Sequence, residues 1–327
     1  MAPIPAIGAA VTVLLACSGT EAFLRQVVPI PSGALRAAAE SPNSGQGAAS
    51  IHQLAREGNT KALEDLLATS GNALVQAFDE AQYTPLHVAT YKGHAEAAQV
   101  LLYHGAEVNA PNGKRCTALH VAAHEGHTEM IRLLIGAGAD LEAKAGGLYD
   151  GCTPLHFACR KGQTEAAELL ALEFKANIEA KEGSGSETPL YQAVWDERTE
   201  TARMLVETAA ADVEGRTRFG ETALHAAAWL GYTSTAKMLL ELGAEVSSVN
   251  DRGDTPLHWA AHRGHSDTAQ LLLDFGADQD KTNAEGRTAL QDAQGFRPSI
   301  DEIKAILTEE TIRDVDEQIM KDMGVKL

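Results

Sequence analysis

The chain has 327 residues, of which 44% are hydrophobic and only 5% are aromatic, and its net charge at pH 7 is −18. The four charged residues among residues 1–50 cancel, so the whole negative charge belongs to residues 51–327. This charge argues against nucleic-acid backbones and anionic membranes as partners, because like charges repel. It is compatible with a basic protein partner and with a soluble surface that resists self-association, so we expect a monomer.

Residues 1–50 differ from the rest in composition and form a separate predicted segment. The apolar run over residues 6–17 has the size of a signal-peptide core and is too short to span a bilayer, but no basic residue precedes it. The following stretch, rich in Ala, Ser, Pro and Gly, predicts a disordered linker. Two interpretations stay open. One is a targeting sequence for export or for an organelle such as a plastid, cleaved or acylated at Cys17; the other is the tail of a cytoplasmic protein.

A four-residue motif recurs along the rest of the chain at intervals of 33 to 36 residues. Its seven copies begin at Thr84, Thr117, Thr153, Thr188, Thr222, Thr255 and Thr288. A period of this length is typical of a solenoid, in which one unit of secondary structure stacks on copies of itself. We number the units that begin at these threonines repeats 1 to 7. Since a solenoid offers a long open surface, binding is the first functional expectation.

Each unit contains signals for two short helices and a turn. In repeat 1, Thr84 can cap a helix and Pro85 suits its first turn, where no amide hydrogen is needed. Gly93 predicts the end of this first helix and Gly105 the end of a second one. Two short helices cannot bury their apolar faces alone, so neighbouring units must cover them.

This unit resembles the ankyrin repeat. TPLHVATYKGH at residues 84–94 and LLYHGAEVNA at residues 101–110 carry the resemblance, and the pattern recurs to about residue 297. It implies an all-α fold with short β-hairpin fingers, namely an ankyrin-repeat solenoid of about seven full repeats over residues 51–297. Residues 51–83 then form an N-terminal capping repeat. The fingers and the first helices are implied to form a concave face.

Residues 298–327 are predicted to form a C-terminal amphipathic helical cap. Ser299 and Glu302 have the spacing of a capping box, and Ile312, Val315 and Ile319 follow at helical spacing. We favour a cap on the last repeat, because solenoids need covered ends. A helix that docks into a groove of a partner is the alternative.

The resemblance implies which side chains bind a partner, since the two positions before the glycine that ends each first helix face the groove. These predicted protein-binding residues are Tyr91, Lys92, His124, Glu125, Arg160, Lys161, Trp195, Asp196, Trp229, Leu230, His262 and Arg263. Trp195 and Trp229 occupy equivalent positions in adjacent repeats and are the predicted energetic centre, because tryptophan is enriched in binding hot spots. The alternative is that both pack under neighbouring fingers. Trp259 is predicted to belong to the core.

Departures from the repeat indicate further individual features. Three extra residues before Thr153 lengthen a finger, and we expect Leu148 and Tyr149 there to contact a partner, with a tolerated loop extension as the alternative. Repeat 4 has Tyr191 in place of the motif histidine and Glu197 in place of the helix-ending glycine. We therefore expect repeat 4 to be the least stable and a candidate hinge.

No residue is predicted to be catalytic, to bind a cofactor or to bind a metal. The repeat itself accounts for His120 and His127, so their spacing with His124 does not indicate a zinc site. Cys116 and Cys152 hold equivalent positions in adjacent repeats and are expected to be reduced thiols. The predicted function is a non-enzymatic protein-interaction module, an adaptor or scaffold that binds a protein ligand in the concave groove. The alternative is a secreted or organelle-targeted factor that escorts or regulates a client through the same groove.

Overall fold

The computed structural model of the protein describes residues 50–183, 185–293 and 305–307. All regular secondary structure in these ranges is helical, and the units stack as a solenoid. The capping unit has helices Ile51–Glu57 and Thr60–Ser70, followed by the 3₁₀-helix Asn72–Gln76. The first helices of repeats 1 to 7 are Pro85–Lys92, Ala118–Glu125, Pro154–Lys161, Pro189–Trp195, Ala223–Leu230, Pro256–Arg263 and Ala289–Asp292. The second helices of repeats 1 to 6 are Ala95–Tyr103, Thr128–Gly136, Thr164–Glu168, Thr199–Glu207, Thr233–Glu241 and Ser266–Asp274.

The predicted helix boundaries of repeat 1 are confirmed. Thr84 is the N-cap of the first helix, and its side chain accepts a hydrogen bond from the amide of His87. Gly93 ends the helix in the left-handed conformation with φ 74°, which glycine adopts at low cost. Gly105 follows the second helix with φ 88°. The proposed C-terminal cap lies almost wholly outside the described residues, of which only 305–307 are helical there.

The fingers between repeats are tight turns. In a typical finger, the amide of Asn112 donates to the carbonyl of Cys116 at 2.9 Å, which closes the turn. Neighbouring fingers are joined by single backbone bonds, such as Arg218 N–H to Gly185 C=O at 2.8 Å. Because one bond per finger is too few for a ladder, the predicted β-hairpins contain no β-strand among the residues described.

Alanine and leucine fill the core between the repeats. Leu119, Ala122 and Ala158 on first helices and Leu134 and Leu170 on second helices are fully buried. Neighbouring first helices pack against each other more extensively than neighbouring second helices do. We call the side of the stack that carries the last turns of the first helices and the fingers the inner face.

Buried histidines join each repeat to the next. His120 receives the backbone N–H of Thr117 on Nδ1 at 3.1 Å, so its other ring nitrogen, Nε2, carries the proton. Nε2 then donates to the carbonyl of Cys152 in the next finger at 3.1 Å. The motif histidines make equivalent bonds to the next unit at His87, His156, His225 and His258. Burial lowers the pKa of His87, His120, His156 and His225 to about 4.

Repeats 3 and 4 each accommodate one extra residue at the end of the second helix. In repeat 3 the helix widens into a π-helical segment, Leu169–Glu173, and Lys175 takes the left-handed position with φ 60°. In repeat 4, Glu197 and Ala210 take left-handed positions with φ 58° and 60°. These positions are occupied by glycine in the regular repeats, so the middle of the stack carries backbone strain.

The buried histidines make stability depend on pH. Their folded-state pKa values lie below the ordinary value of about 6.5, so acidification protonates the unfolded chain first. The histidines therefore contribute fully to the free energy of unfolding above pH 6.5. This contribution is lost as the pH falls towards 4, by about 1.4 kcal/mol per histidine for each unit of difference between the folded and unfolded pKa values.

We expect His120→Gln to destabilise the protein by about 1–2 kcal/mol at pH 7 and to reduce the loss of stability on acidification. Glutamine occupies this position naturally in repeat 7, as Gln291. Urea unfolding between pH 4.5 and 7.5 measures both effects.

Exposed His262 provides the matched control, because His262→Gln makes the same side-chain replacement without removing a hydrogen bond to the next finger. Burial raises the pKa of Glu221 to about 7, so this carboxyl group makes the fold more stable as the pH falls, opposite to the histidines. Because Glu221 is present in every variant, its contribution cancels when the unfolding free energies of two variants are subtracted. Identical pH slopes for His120→Gln and wild type would contradict this role of the histidine.

Repeat 4 should become more stable when its left-handed residues are replaced by glycine. Glu197→Gly and Ala210→Gly remove a steric cost of about 1 kcal/mol each and should slow amide hydrogen exchange in residues 188–215. Gln99→Gly is the control, because Gln99 lies exposed in the right-handed helix Ala95–Tyr103, where glycine costs about 1 kcal/mol. Wild-type exchange that is slowest in residues 188–215 would contradict the predicted weakness of repeat 4.

Candidate protein-binding surface

The predicted binding residues lie along the last turns of the first helices. Lys92 and His262 are exposed, and the other ten residues of the helix-end pairs are half-buried. The positively charged side chain of Lys92 lies over the ring of Tyr91 at 5.3 Å from its centre. Nδ1 of His124 and Oε1 of Glu125 are 2.7 Å apart. These side chains are accessible, but several already interact with one another.

Trp229 and Trp259 form the centre of an aromatic cluster between repeats 5 and 6. Their rings meet edge to face with centroids 5.2 Å apart. The ring of His262 stacks on Trp229 at 6.0 Å, and the guanidinium of Arg263 lies 4.6 Å from the Trp229 centroid. Trp259, His262 and Arg263 are three and four residues apart on one helix, so they share the face that meets Trp229. Both tryptophans remain half-buried.

Trp259 belongs to the candidate surface by its position, although the sequence interpretation did not include it. The position after the motif histidine was expected in the core, but the Trp259 ring lies at the edge of the interface, in contact with Trp229 and at 5.4 Å from His225. Phe157 holds the equivalent position in repeat 3 and contacts His120 and His124. The available signal was a large aromatic residue at this position, where the other repeats have Val, Gln, Ala or Asp.

Trp195 has a different environment from Trp229. Its ring stacks on Tyr191, one helical turn earlier, with centroids 6.0 Å apart and planes at 17°. Tyr191 replaces a motif histidine, and its hydroxyl donates to the carboxylate of Glu221 in the next finger at 3.2 Å. Burial raises the pKa of this carboxyl to about 7. The two equivalent tryptophans therefore face different neighbours, and only Trp229 packs against another tryptophan.

The lengthened finger of repeat 3 contains one exposed and one buried side chain. Leu148 is 82% exposed, whereas Tyr149 is only 8% exposed, so Tyr149 packs under the finger and does not form an open contact surface as expected. Its ring lies 5.0 Å from that of Phe157 and beneath the guanidinium of Arg160 at 5.3 Å. The insertion folds back because a short 3₁₀ turn, Gly147–Tyr149, directs Tyr149 inward.

Arg160 also connects repeats 3 and 4. Its Nε lies 3.3 Å from Oδ2 of Asp196, and both side chains are partly buried. Burial raises the pKa of Asp196, while the nearby Arg160 opposes that shift. This pair thus stabilises the surface internally, whereas Lys161 and Leu230 are half-buried at its edge.

The other chemically active side chains have structural roles. Nε2 of His127 contacts the carbonyl of Tyr91 at 3.3 Å, and that of His265 contacts the carbonyl of Trp229 at 3.0 Å. Cys116, Cys152 and Cys159 are buried and are not joined in disulfides, and burial raises the pKa of Cys116 to about 12. Within the described ranges, no group of three His, Cys, Asp or Glu side chains is arranged to hold a metal ion. In the same ranges no helix is long and apolar enough to cross a membrane.

The comparison with protein-family models agrees with the geometry. The family model described as ankyrin repeats, in three copies, matches residues 13–112, 108–182, 173–250 and 242–316. A solved structure, the human ASB11 ankyrin repeat domain, is 28% identical, with a TM-score of 0.47; the match covers 79% of this chain and 96% of that chain. No curated protein matches. The chain belongs to the ankyrin repeat family.

Proposed function

We propose that the protein binds a protein partner in the groove formed by the fingers and the last turns of the first helices. Ankyrin repeats are protein-interaction modules and generally act without catalysis. The binding centre is proposed to lie on repeats 4 to 6, with Trp195, Trp229 and Trp259 as aromatic anchors. The protein would then act as an adaptor or scaffold that recruits, shields or positions its partner.

One observation carries this proposal: the half-buried pair of Trp229 and Trp259 on the inner face. A tryptophan on a monomer surface exposes apolar area to water, and a partner gains by covering it. Neighbouring Arg263 and His262 add polar groups around the rings, which is the composition of interface hot spots. The enclosed packing of Trp229 fixes its orientation before binding, so little side-chain entropy remains to be lost.

The alternative of a secreted or organelle-targeted escort factor depends on residues 1–50, and residues 1–49 lie outside the described part. The compartment stays a prediction. The groove would serve a client in either compartment, so this alternative changes where the protein acts and leaves the binding surface unchanged.

The proposed role of the tryptophans in binding can be tested by capture of partners from native lysate. We expect Trp195→Ala/Trp229→Ala to lose the partner that wild type retains, since removal of a hot-spot aromatic typically costs about 2 kcal/mol or more, roughly a thirtyfold loss in affinity. The purified partner is then titrated into the full chain. The only three tryptophans in the sequence, Trp195, Trp229 and Trp259, all lie on this surface, so intrinsic fluorescence reports binding directly.

Tyr103→Ala is the matched control, because Tyr103 is an aromatic residue on a second helix and is 87% exposed. It should retain the partner. Circular dichroism and thermal unfolding confirm that the tryptophan variant is folded. The same set of captured proteins from wild type and the folded double variant would refute the proposed site.

A further inference from the structure

Repeat 4 is joined to repeat 5 through a side-chain carboxylate, whereas the motif histidines of the other repeats bind backbone carbonyls. The hydroxyl of Tyr191 donates to Oε2 of Glu221 at 3.2 Å, and the hydroxyl of Thr217 donates to the same oxygen at 3.4 Å. Tyr191 is buried and Glu221 is half-buried. A carboxyl group gains or loses a charge on titration and a backbone carbonyl does not, so the acceptor of this contact can respond to pH.

Carboxylates flank Glu221 in the fingers on both sides. Glu187 lies in the preceding finger and Asp251 in the following one. A Cβ on Gly220 would lie 2.5 Å from Oδ1 of Asp251, so that carboxylate approaches the backbone directly before Glu221. Both neighbours disfavour the ionised form of Glu221, because like charges repel.

The cations of the same finger are directed to other groups. Nη1 of Arg216 donates to the carbonyl of Val249 at 2.9 Å, and the guanidinium of Arg218 lies 5.2 Å from the centroid of Phe219. Among the described residues, no Lys, Arg or His nitrogen lies within 4.0 Å of a carboxylate oxygen of Glu221. Burial and the flanking carboxylates outweigh the two hydroxyl hydrogen bonds, which raises the pKa of Glu221 to about 7.

Tyr191 connects Glu221 with the candidate binding surface. The ring of half-buried Trp195 stacks on the ring of Tyr191 with centroids 6.0 Å apart and planes at 17°. Both residues belong to the helix Pro189–Trp195, after which Glu197 takes a left-handed φ of 58° that is unfavourable for glutamate. The end of this helix therefore depends more on side-chain contacts than the helix ends at glycine do.

We propose that the hydrogen bond between Tyr191 and Glu221 is a pH-sensitive switch that sets the position of Trp195 on the inner face. As the pH falls through 7, the carboxyl group becomes neutral, is no longer repelled by the neighbouring carboxylates, and stays beside Tyr191. As the pH rises, the ionised carboxylate gains by turning towards water, which a rotation of this half-buried side chain allows. The hydroxyl of Tyr191 then loses its acceptor, and the ring stacked on it becomes less ordered.

The sign of the switch follows from proton linkage. The pKa of Glu221 is about 7 in the closed contact, against an ordinary value of 4.5 for a carboxyl group in water. The closed contact therefore binds the proton more strongly than the open one, and its relative stability falls as the pH rises from 4.5 to 7. The buried motif histidines have pKa values of about 4, so they stay neutral in the folded chain above pH 5.5.

The switch is tested on the full chain without a partner, and only its consequence for binding rests on the proposed function. In Trp229→Phe/Trp259→Phe, Trp195 is the single tryptophan and reports its own environment by fluorescence. We expect its emission to shift to longer wavelength between pH 5.5 and 8 as the ring becomes more exposed. Adding Glu221→Gln keeps a hydrogen-bond acceptor but removes the titrating group, so the emission should no longer depend on pH. Glu200→Gln is the matched control, because it removes an exposed carboxylate from the second helix of the same repeat and should leave the shift unchanged.

Nuclear magnetic resonance gives a second measurement that keeps all three tryptophans. The indole N–H signal of Trp195 in the wild-type chain should move over the same pH range as the side-chain carboxyl signal of Glu221. Two variants should shift this titration in opposite directions. Tyr191→Phe removes a donor to the ionised carboxylate and should raise the pKa of Glu221, whereas Asp251→Asn removes a negative charge and should lower it.

Three outcomes would overturn the inference. They are a Trp195 signal that does not change with pH, a change that persists in Glu221→Gln, and a Glu221 carboxyl that titrates at its ordinary pKa. A persistent change would assign the titration to Asp196, which adjoins Trp195 and whose pKa is also raised by burial. Capture of a partner through Trp195 and Trp229 is measured separately, so the proposed function stands or fails independently of the switch.

Discussion

The hydrogen bond from each motif histidine to the next finger is the interaction on which the solenoid depends. A unit of two short helices has an apolar face on either side and no core of its own, so it is ordered only when its neighbour is in place. The histidine uses Nδ1 to hold the start of its own first helix and Nε2 to hold the carbonyl of the following finger, as His120 does between Thr117 and Cys152. One neutral ring thus determines both the helix start and the position of the next repeat.

This histidine hydrogen bond between repeats also determines which side chains form the inner face. It aligns the first helices at one register, so that their last turns and the fingers between them are exposed along the same side. The residue after the histidine then reaches back to the preceding repeat, and an aromatic side chain there extends the surface, as Phe157 and Trp259 do. The surface is therefore assembled from pairs of repeats.

The irregular features concentrate in the middle of the stack. Repeats 3 and 4 combine a lengthened finger, a π-helical segment and non-glycine residues in left-handed positions, such as Lys175 and Glu197. At repeat 4 a tyrosine replaces the joining histidine and reaches a side-chain carboxylate, Glu221, in place of a backbone carbonyl. Trp195 lies in the same part of the chain. The repeats that depart most from the common pattern thus present the most individual surface.

The sequence by itself determined the solenoid, the starts of the helices at threonine and most of their ends at glycine, because these depend on local capping and backbone conformation. Period and register also located Trp229 and Trp195 on the first helices. Only the tertiary structure decided that Tyr149 is buried while Leu148 is exposed, and that Trp259 meets Trp229 across a repeat boundary. The same holds for charge: only the folded chain brings the carboxylates of Glu182 and Glu221 to hydrogen-bond donors within the protein. These outcomes depend on packing between units and on competition for hydrogen-bond partners, which a pattern along one chain does not contain.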